Sequence, residues 1–312
     1  MDIEQEGHGF EIRPSVSSHF KVLPLTEQDN HGVVQRISKK WGMPWKTSID
    51  ADYDHDELFY MPFWEWQLQF MADNLTNLKV VPTVDASGMD DLTYVDNPRK
   101  KKRMITLCFS SDEYRLIRLT LLDAGTATQV FTSLWYPRAN LPVLGVDLLQ
   151  FNKGTRHLTV VDFQPIQTTE DQHDAKYEHL MQPIRDEYPS LQNEMTDRFY
   201  DETQFFSNQM LLGKGEDDGY VFRELMPAFQ SYVQTHVDLV KNTKPRTPSQ
   251  KVLKQHRAYD NYSSERDPAH GLLAACFGLE YADKFVYDVL FPLSTSSARG
   301  SKKGGKGKGT TD

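Results

Sequence analysis

Five strand-like runs follow one another through the middle of the chain: RMITLCFSS, YRLIRLTLLDAG, TATQVFTSLWYP, VLGVDLLQF and RHLTVVDFQPI. The turns between them, such as SSDE, DAGT, PRANLP and NKGT, are only a few residues long. Parallel neighbours need a long crossover, so turns this short impose an antiparallel meander. Several runs are apolar at odd and even positions alike, which requires a sheet covered on both faces. The cover must come from helices. Helical spacing recurs in QHDAKYEHLMQPIRDEY, DDGYVFRELMPAFQSYVQTHVDLVKNT, SQKVLKQHRAYDNYSSE, DPAHGLLAACFG and EYADKFVYDVLF. Strands first and helices afterwards predict an α+β fold, a three-layer α/β/α sandwich around a central antiparallel sheet, rather than an alternating Rossmann order.

Around that centre, residues 1–50 show no steady period and read as an irregular arm. Asp54 to Leu75 predicts an amphipathic helix that Pro62 would kink. The stretch VDASGMDDLTYVDNPRKKKR reads as a polar linker or an exposed hairpin. One domain over 51–294 and a disordered basic tail over 295–312 complete the organisation.

Composition narrows the function. Of 312 residues 38% are hydrophobic, ample for one large core. No apolar run reaches the roughly 18–20 residues of a membrane span, so no membrane partner is expected. The start, MDIEQEGHGFEIRP, has neither signal-peptide nor transit-peptide character, so no targeting segment is expected in this chain. The net charge is −9, and the tail carries five bases against one acid, which leaves −13 on everything before Arg299. Nucleic acid is therefore not an expected partner. Two distant cysteines, Cys108 and Cys276, exclude a disulfide framework and any four-cysteine cluster and suit a reducing compartment.

Familiar motifs fail on inspection. DADYDHDE imitates the start of a calcium loop, but His55 replaces the turn glycine and Met61 stands at the bidentate position. GSKKGGKG lacks the Ser/Thr and the preceding strand of a P-loop. His173 and His179, six apart, do not share a helix face. No nicotinamide, flavin or metal signature is present.

Three aspartates remain. Asp147 interrupts the apolar run VLGVDLLQF, on the strand face of Val143, Gly145, Leu149 and Phe151. A buried carboxylate is costly unless it is paired or protonated, so the position calls either for an Arg or amide partner or for a working acid. Gly145 would leave room beside it for a ligand. Asp267 precedes Pro268 as N-cap and N1 of a helix, which accounts for it without chemistry. Asp162, in VVDF, reads as a structural buried acid.

Taken together, LDAGTATQVFTSLWYP, LPVLGVDLLQF, VVDFQPI, YSSERDPAHGL and FVYDVLFP resemble the ferredoxin-dependent bilin reductases, in family order from about Arg115 to Pro292. The resemblance implies biliverdin bound between the sheet and the C-terminal helices. It implies no bound cofactor: ferredoxin supplies electrons singly, and the enzyme supplies protons to a radical bilin. Asp147 then matches the family's central-strand aspartate and Asp267 the aspartate facing it, both as catalytic acids. Thr132 and Thr120 stand where the phycocyanobilin-forming branch has a histidine and a glutamate, so a two-electron reduction is implied, with Thr132 a candidate substrate-binding residue.

The wording looks most like the branch that reduces the biliverdin bridge between rings C and D on the way to phycoerythrobilin. The alternative is the branch that reduces the A-ring diene of dihydrobiliverdin. The family further implies a plastid stroma or a cyanobacterial cytoplasm; a monomer is expected, with the next bilin reductase of the pathway as a candidate partner. Docking an electron carrier on so acidic a body calls for a local basic patch, and Arg99 to Arg103 is the candidate.

Overall fold

The computed structural model describes residues 59–151, 155–166, 170–194, 205–215, 218–244 and 249–295. The arm over 1–50, the acid run Asp50 to Glu57 and the lysine-rich tail from residue 296 lie outside the described residues.

All five sequence-predicted strands are present and pair as a meander: β3 (Lys102–Ser110), β4 (Tyr114–Asp123), β5 (Thr128–Pro137), β6 (Val143–Phe151) and β7 (Arg156–Gln164). Two short strands, β1 (Lys79–Val81) and β2 (Tyr94–Asn97), share the outer side of β3, and β8 (Leu211–Gly215) closes the other edge against β7. Every strand-to-strand ladder is antiparallel. The polar stretch before β3 is partly a hairpin arm, since Tyr94–Asn97 pairs residue by residue with Lys102 to Ile105.

One face of the sheet is closed by α1 (Met61–Asn74), α2 (Glu170–Glu187) and α3 (Met226–Lys241). Pro62 does not kink α1. It sits in the first turn, where a missing amide hydrogen costs nothing and the fixed φ favours helix entry. Leu107, Leu119, Phe131, Trp135, Leu148 and Phe163 point into this layer and meet Phe63, Trp64 and Phe229. Some of its few polar groups pair with one another, while Trp64 Nε1 and Gln67 Oε1 have no hydrogen-bond partner among the described residues. Ser133 Oγ accepts from Gln67 Nε2 at 2.8 Å and Trp135 Nε1 at 2.6 Å, and the His236 ring lies between Tyr114 Oη at 2.9 Å and the Pro142 carbonyl at 3.0 Å.

The opposite face is covered by α4 (Gln250–Arg266), α5 (Ala269–Phe277) and α6 (Leu279–Lys284), the last running into a π-helical stretch, Phe285–Leu290. Gly278, at φ 100°, makes the sharp bend between α5 and α6, a conformation that side chains resist. Tyr136 donates to Asp260 Oδ1 at 2.6 Å, and Leu293 N donates to Asp260 Oδ2 at 2.9 Å, which ties β5, α4 and the C-terminal end together. The three-layer α/β/α arrangement is the one that the sequence predicts.

Candidate active site

Directly paired residues of an antiparallel sheet point to the same face, so the register aligns side chains across strands. Thr106, Thr120, Thr132, Asp147 and Val160 form one such row, on the face covered by α4 to α6. The adjacent row on that face is Cys108, Arg118, Leu134, Gly145 and Asp162. A threonine–aspartate line through the centre of a sheet is not what core packing selects.

Asp147 departs from expectation in one respect. The apolar run around it predicts a buried side chain, yet it is exposed while Val143, Leu144, Gly145, Val146 and Leu148 are buried. Its same-face neighbours Thr132, Leu149, Leu158 and Val160 are only half-buried. The helical layer therefore stands off the sheet over β5 to β7, and the carboxylate lies in that opening. Among the described residues nothing hydrogen-bonds to it, which removes the structural account of a paired buried acid. Solvent reaches the side chain, and the protein packed around it displaces part of its hydration shell. Loss of solvation raises its pKa to about 7, the charge of Asp267 adds to the rise, and Arg118 opposes it.

Asp267 joins α4 to α5, in the covering layer. Its Oδ1 accepts from Ala269 N at 2.7 Å, the capping contact that the Asp-Pro sequence predicts, although α5 starts one residue later than predicted, with Pro268 in the N-cap position. Its charge acts on Asp147, Arg118 and Tyr259, which places it beside the same opening.

Arg118 is the residue that sequence reasoning passed over. It is buried on β4, donating from Nη1 to Thr120 Oγ1 at 2.9 Å and from Nη2 to Thr132 Oγ1 at 3.4 Å. Thr120 Oγ1 lies 2.9 Å from Thr106 Oγ1, so the three threonines and the guanidinium make a continuous polar strip. The signal was present, since Arg118 and Thr120 are two apart in the middle of a largely apolar strand and must share a face.

The room expected at Gly145 is taken by protein. A Cβ there would lie 2.6 Å from Gln164 Cδ, so the glycine lets the Gln164 amide lie flat on the sheet. Tyr259 Oη from α4 donates to Gln164 Oε1 at 2.5 Å and fixes it. Asp162 is fully buried and structural, as predicted. It accepts from Ser207 N at 2.9 Å and from Ser207 Oγ, and desolvation nevertheless raises its pKa to about 7.

The basic run is largely committed to the fold. Lys100 Nζ caps the C-terminal end of α5 through the Ala275 carbonyl at 2.7 Å, Lys102 Nζ binds the Ala124 carbonyl at 2.5 Å, and Arg103 pairs with buried Asp123 at 2.7 Å. Among the described residues no group of three or more His, Cys, Asp or Glu could hold a metal, and no helix is long and apolar enough to cross a membrane.

Comparison with known proteins converges on one family. The model of the ferredoxin-dependent bilin reductases matches residues 82–292. A protein of Nostoc punctiforme named 15,16-dihydrobiliverdin:ferredoxin oxidoreductase is 36% identical over 65% of this chain and 86% of its own length. One of the same name from Gloeobacter violaceus is 34% identical over 74% of this chain and 94% of its own. Among solved structures, phytochromobilin synthase from tomato in complex with biliverdin has the same fold, with a TM-score of 0.64 at 19% identity over 75% of this chain and 83% of that one.

Proposed function

The chain belongs to the ferredoxin-dependent bilin reductases, and from that premise we propose that it reduces biliverdin IXα to 15,16-dihydrobiliverdin with electrons from ferredoxin. The reaction adds two electrons and two protons across C15=C16, the methine bridge between rings C and D, and leaves the rest of the tetrapyrrole conjugated. The observation that carries the site assignment is Asp147: an accessible carboxyl, without a hydrogen-bond partner among the described residues, whose pKa near 7 leaves it substantially protonated at neutral pH. A flat apolar substrate over it would remove the remaining water and favour the protonated form further.

In this mechanism biliverdin lies between the sheet and α4 to α6. Asp147 donates a proton to the bilin as the first electron arrives, because a reduced bilin is more basic than the neutral pigment. Asp267, on the opposite wall, assists as a second donor or orients the substrate while capping α5. Thr132, whose oxygen accepts from Arg118, directs its O–H towards a substrate lactam or a bridging water. Electrons arrive singly, so a bilin radical stands between the two transfers. The product feeds phycoerythrobilin synthesis through the next bilin reductase, in a plastid stroma or a cyanobacterial cytoplasm, with the chain acting as a monomer.

The test is to mix the protein anaerobically with biliverdin, ferredoxin and an NADPH-driven ferredoxin reductase and follow the visible spectrum. Loss of the biliverdin band with a blue-shifted product is expected. An unchanged bound-pigment spectrum, with 15,16-dihydrobiliverdin consumed instead, would reject the bridge reduction in favour of the A-ring reaction.

A further inference from the structure

The floor of the opening has a definite edge. On the face of β6 and β7 under α4 to α6, Asp147, Leu149, Leu158 and Val160 are exposed or half-buried, whereas Val143, Gly145, Asp162 and Gln164 are buried. Cover therefore begins between the Asp147–Val160 pair and the Gly145–Asp162 pair, a step of one residue-pair row. Phe205 stands at that step. Its ring packs on α4, edge-on to Tyr259 at 5.4 Å and tilted against Tyr262 at 4.9 Å. Tyr259 in turn holds Gln164 flat over Gly145, and two residues beyond Phe205 both Ser207 N and Ser207 Oγ donate to Asp162. Both supports of Phe205 thus meet the sheet at the Gly145–Asp162 pair, while Phe205 itself is only half-buried.

The backbone at this point is strained. Phe205 has φ 65°, a left-handed conformation that bulky side chains resist; the other described non-glycine residues with positive φ are Asn77 and Lys101. Such strain persists only where the surroundings over-determine it. Here they do: Asn208 Nδ2 donates to Asp174 of α2 at 2.8 Å, Gln209 O accepts from Tyr232 Oη of α3 at 2.5 Å, and Met210 N donates to the Ser207 carbonyl at 3.2 Å. A glycine would relieve the strain but present no ring. We infer that Phe205 is a positioning residue, an aromatic end stop against which the rim of the bilin rests, so that the bridge to be reduced lies over Asp147. The inference rests on the reading of biliverdin in this opening and adds what fixes its register there. Apolar contact has no direction, so a flat pigment between sheet and helices is free to slide in its own plane. Thr132 and Asp147 lie beneath it and do not block that movement. A ring standing at the edge of the floor does, and so selects one methine bridge over the others.

The experiment titrates the full chain with biliverdin in the absence of ferredoxin and follows the visible spectrum, so it does not depend on turnover. Phe205→Asn removes the ring and tolerates the positive φ. It is expected to weaken biliverdin binding about three- to tenfold, the usual worth of an aromatic contact, and to shift the bound-pigment band. With ferredoxin and saturating biliverdin, the same variant should turn over more slowly and give a second reduction product on chromatography. Phe205→Leu, which keeps an apolar contact with α4 but no ring, is expected to move the band in the same direction, and it carries the test if Phe205→Asn does not fold. A ring that serves only the fold would lower the urea midpoint and leave the affinity and band of the folded protein as in wild type, and that result overturns the end stop. The two readings fail separately. A wild-type protein that binds no biliverdin rejects the proposed function itself, whereas wild-type binding matched by both variants rejects the end stop alone.

Discussion

The two faces of the sheet are made by alternate residues of the same strands, yet they follow different rules. On the face under α1 to α3, Phe131, Trp135 and Leu148 are buried in rings and aliphatic chains, and the polar atoms of Ser133 and His236 are paired at ordinary distances. On the face under α4 to α6, the same β5 and β6 present Thr132 and Asp147 to an opening, and behind them a guanidinium rests on hydroxyls. The first arrangement maximises burial and leaves nothing to react. The second gives up burial at the centre of the sheet, where it would stabilise most, to keep a carboxyl poorly hydrated and reachable. A fold can afford this on one face because the other is closed.

The contrast can be broken or sharpened by substitution. Asp147→Asn is expected to lower bilin turnover by about 10²–10⁴-fold, the usual worth of a positioned proton donor. Biliverdin affinity by visible titration should change little, since the amide keeps the shape. Phe131→Ala, on the closed face, should do the reverse. It is expected to cost about 3–5 kcal/mol of stability in urea unfolding, and the pH dependence of turnover in the protein that remains folded should match wild type. Turnover lost in Phe131→Ala without loss of stability would mean that the two faces are not separable.

Asp162 offers a control for Asp147, since both have pKa values near 7 and only Asp162 is hydrogen-bonded to a neighbour. Its folded value lies above the ordinary carboxylate value, so between the two the folded state keeps a proton that the unfolded chain has lost. The stability it contributes is full below the unfolded value and is lost as the pH rises through about 7. Asp162→Asn cannot titrate, so its urea midpoint relative to wild type should rise between pH 5 and pH 8 while turnover stays within a few-fold. The smallest effect is expected for Lys100→Ala. Losing the charge at the end of α5 should cost about 0.3–1 kcal/mol. A salt-dependent fall in ferredoxin-driven turnover larger than this stability change explains would show that the lysine also serves docking.

The meander was legible because the runs were apolar and their turns short, two signals that agree. The edge strands were not. β1 has three residues, β2 four, and β8, LLGKG, contains two glycines; such segments are extended because a neighbour pairs with them rather than through their own propensity. Asp147 was legible as an anomaly, whereas its exposure depends on where α4 to α6 settle, which strand periodicity does not encode. Asp267 was legible as a cap from the Asp-Pro pair. Arg118 was legible from Thr120 two residues on, whereas its second contact, Thr132, lies on the next strand and is not read from spacing.

Gly145 has a consequence for the size of the opening. With no Cβ, it lets Gln164 lie against the sheet, and Tyr259 of α4 rests on that amide. The stack of glycine, amide and phenol works as a spacer of fixed thickness between the layers, one residue-pair row from Asp147. The separation of the layers there is therefore set by a contact that does not involve Asp147, and a single methyl group added at 145 would meet the Gln164 amide at 2.6 Å and force it to shift.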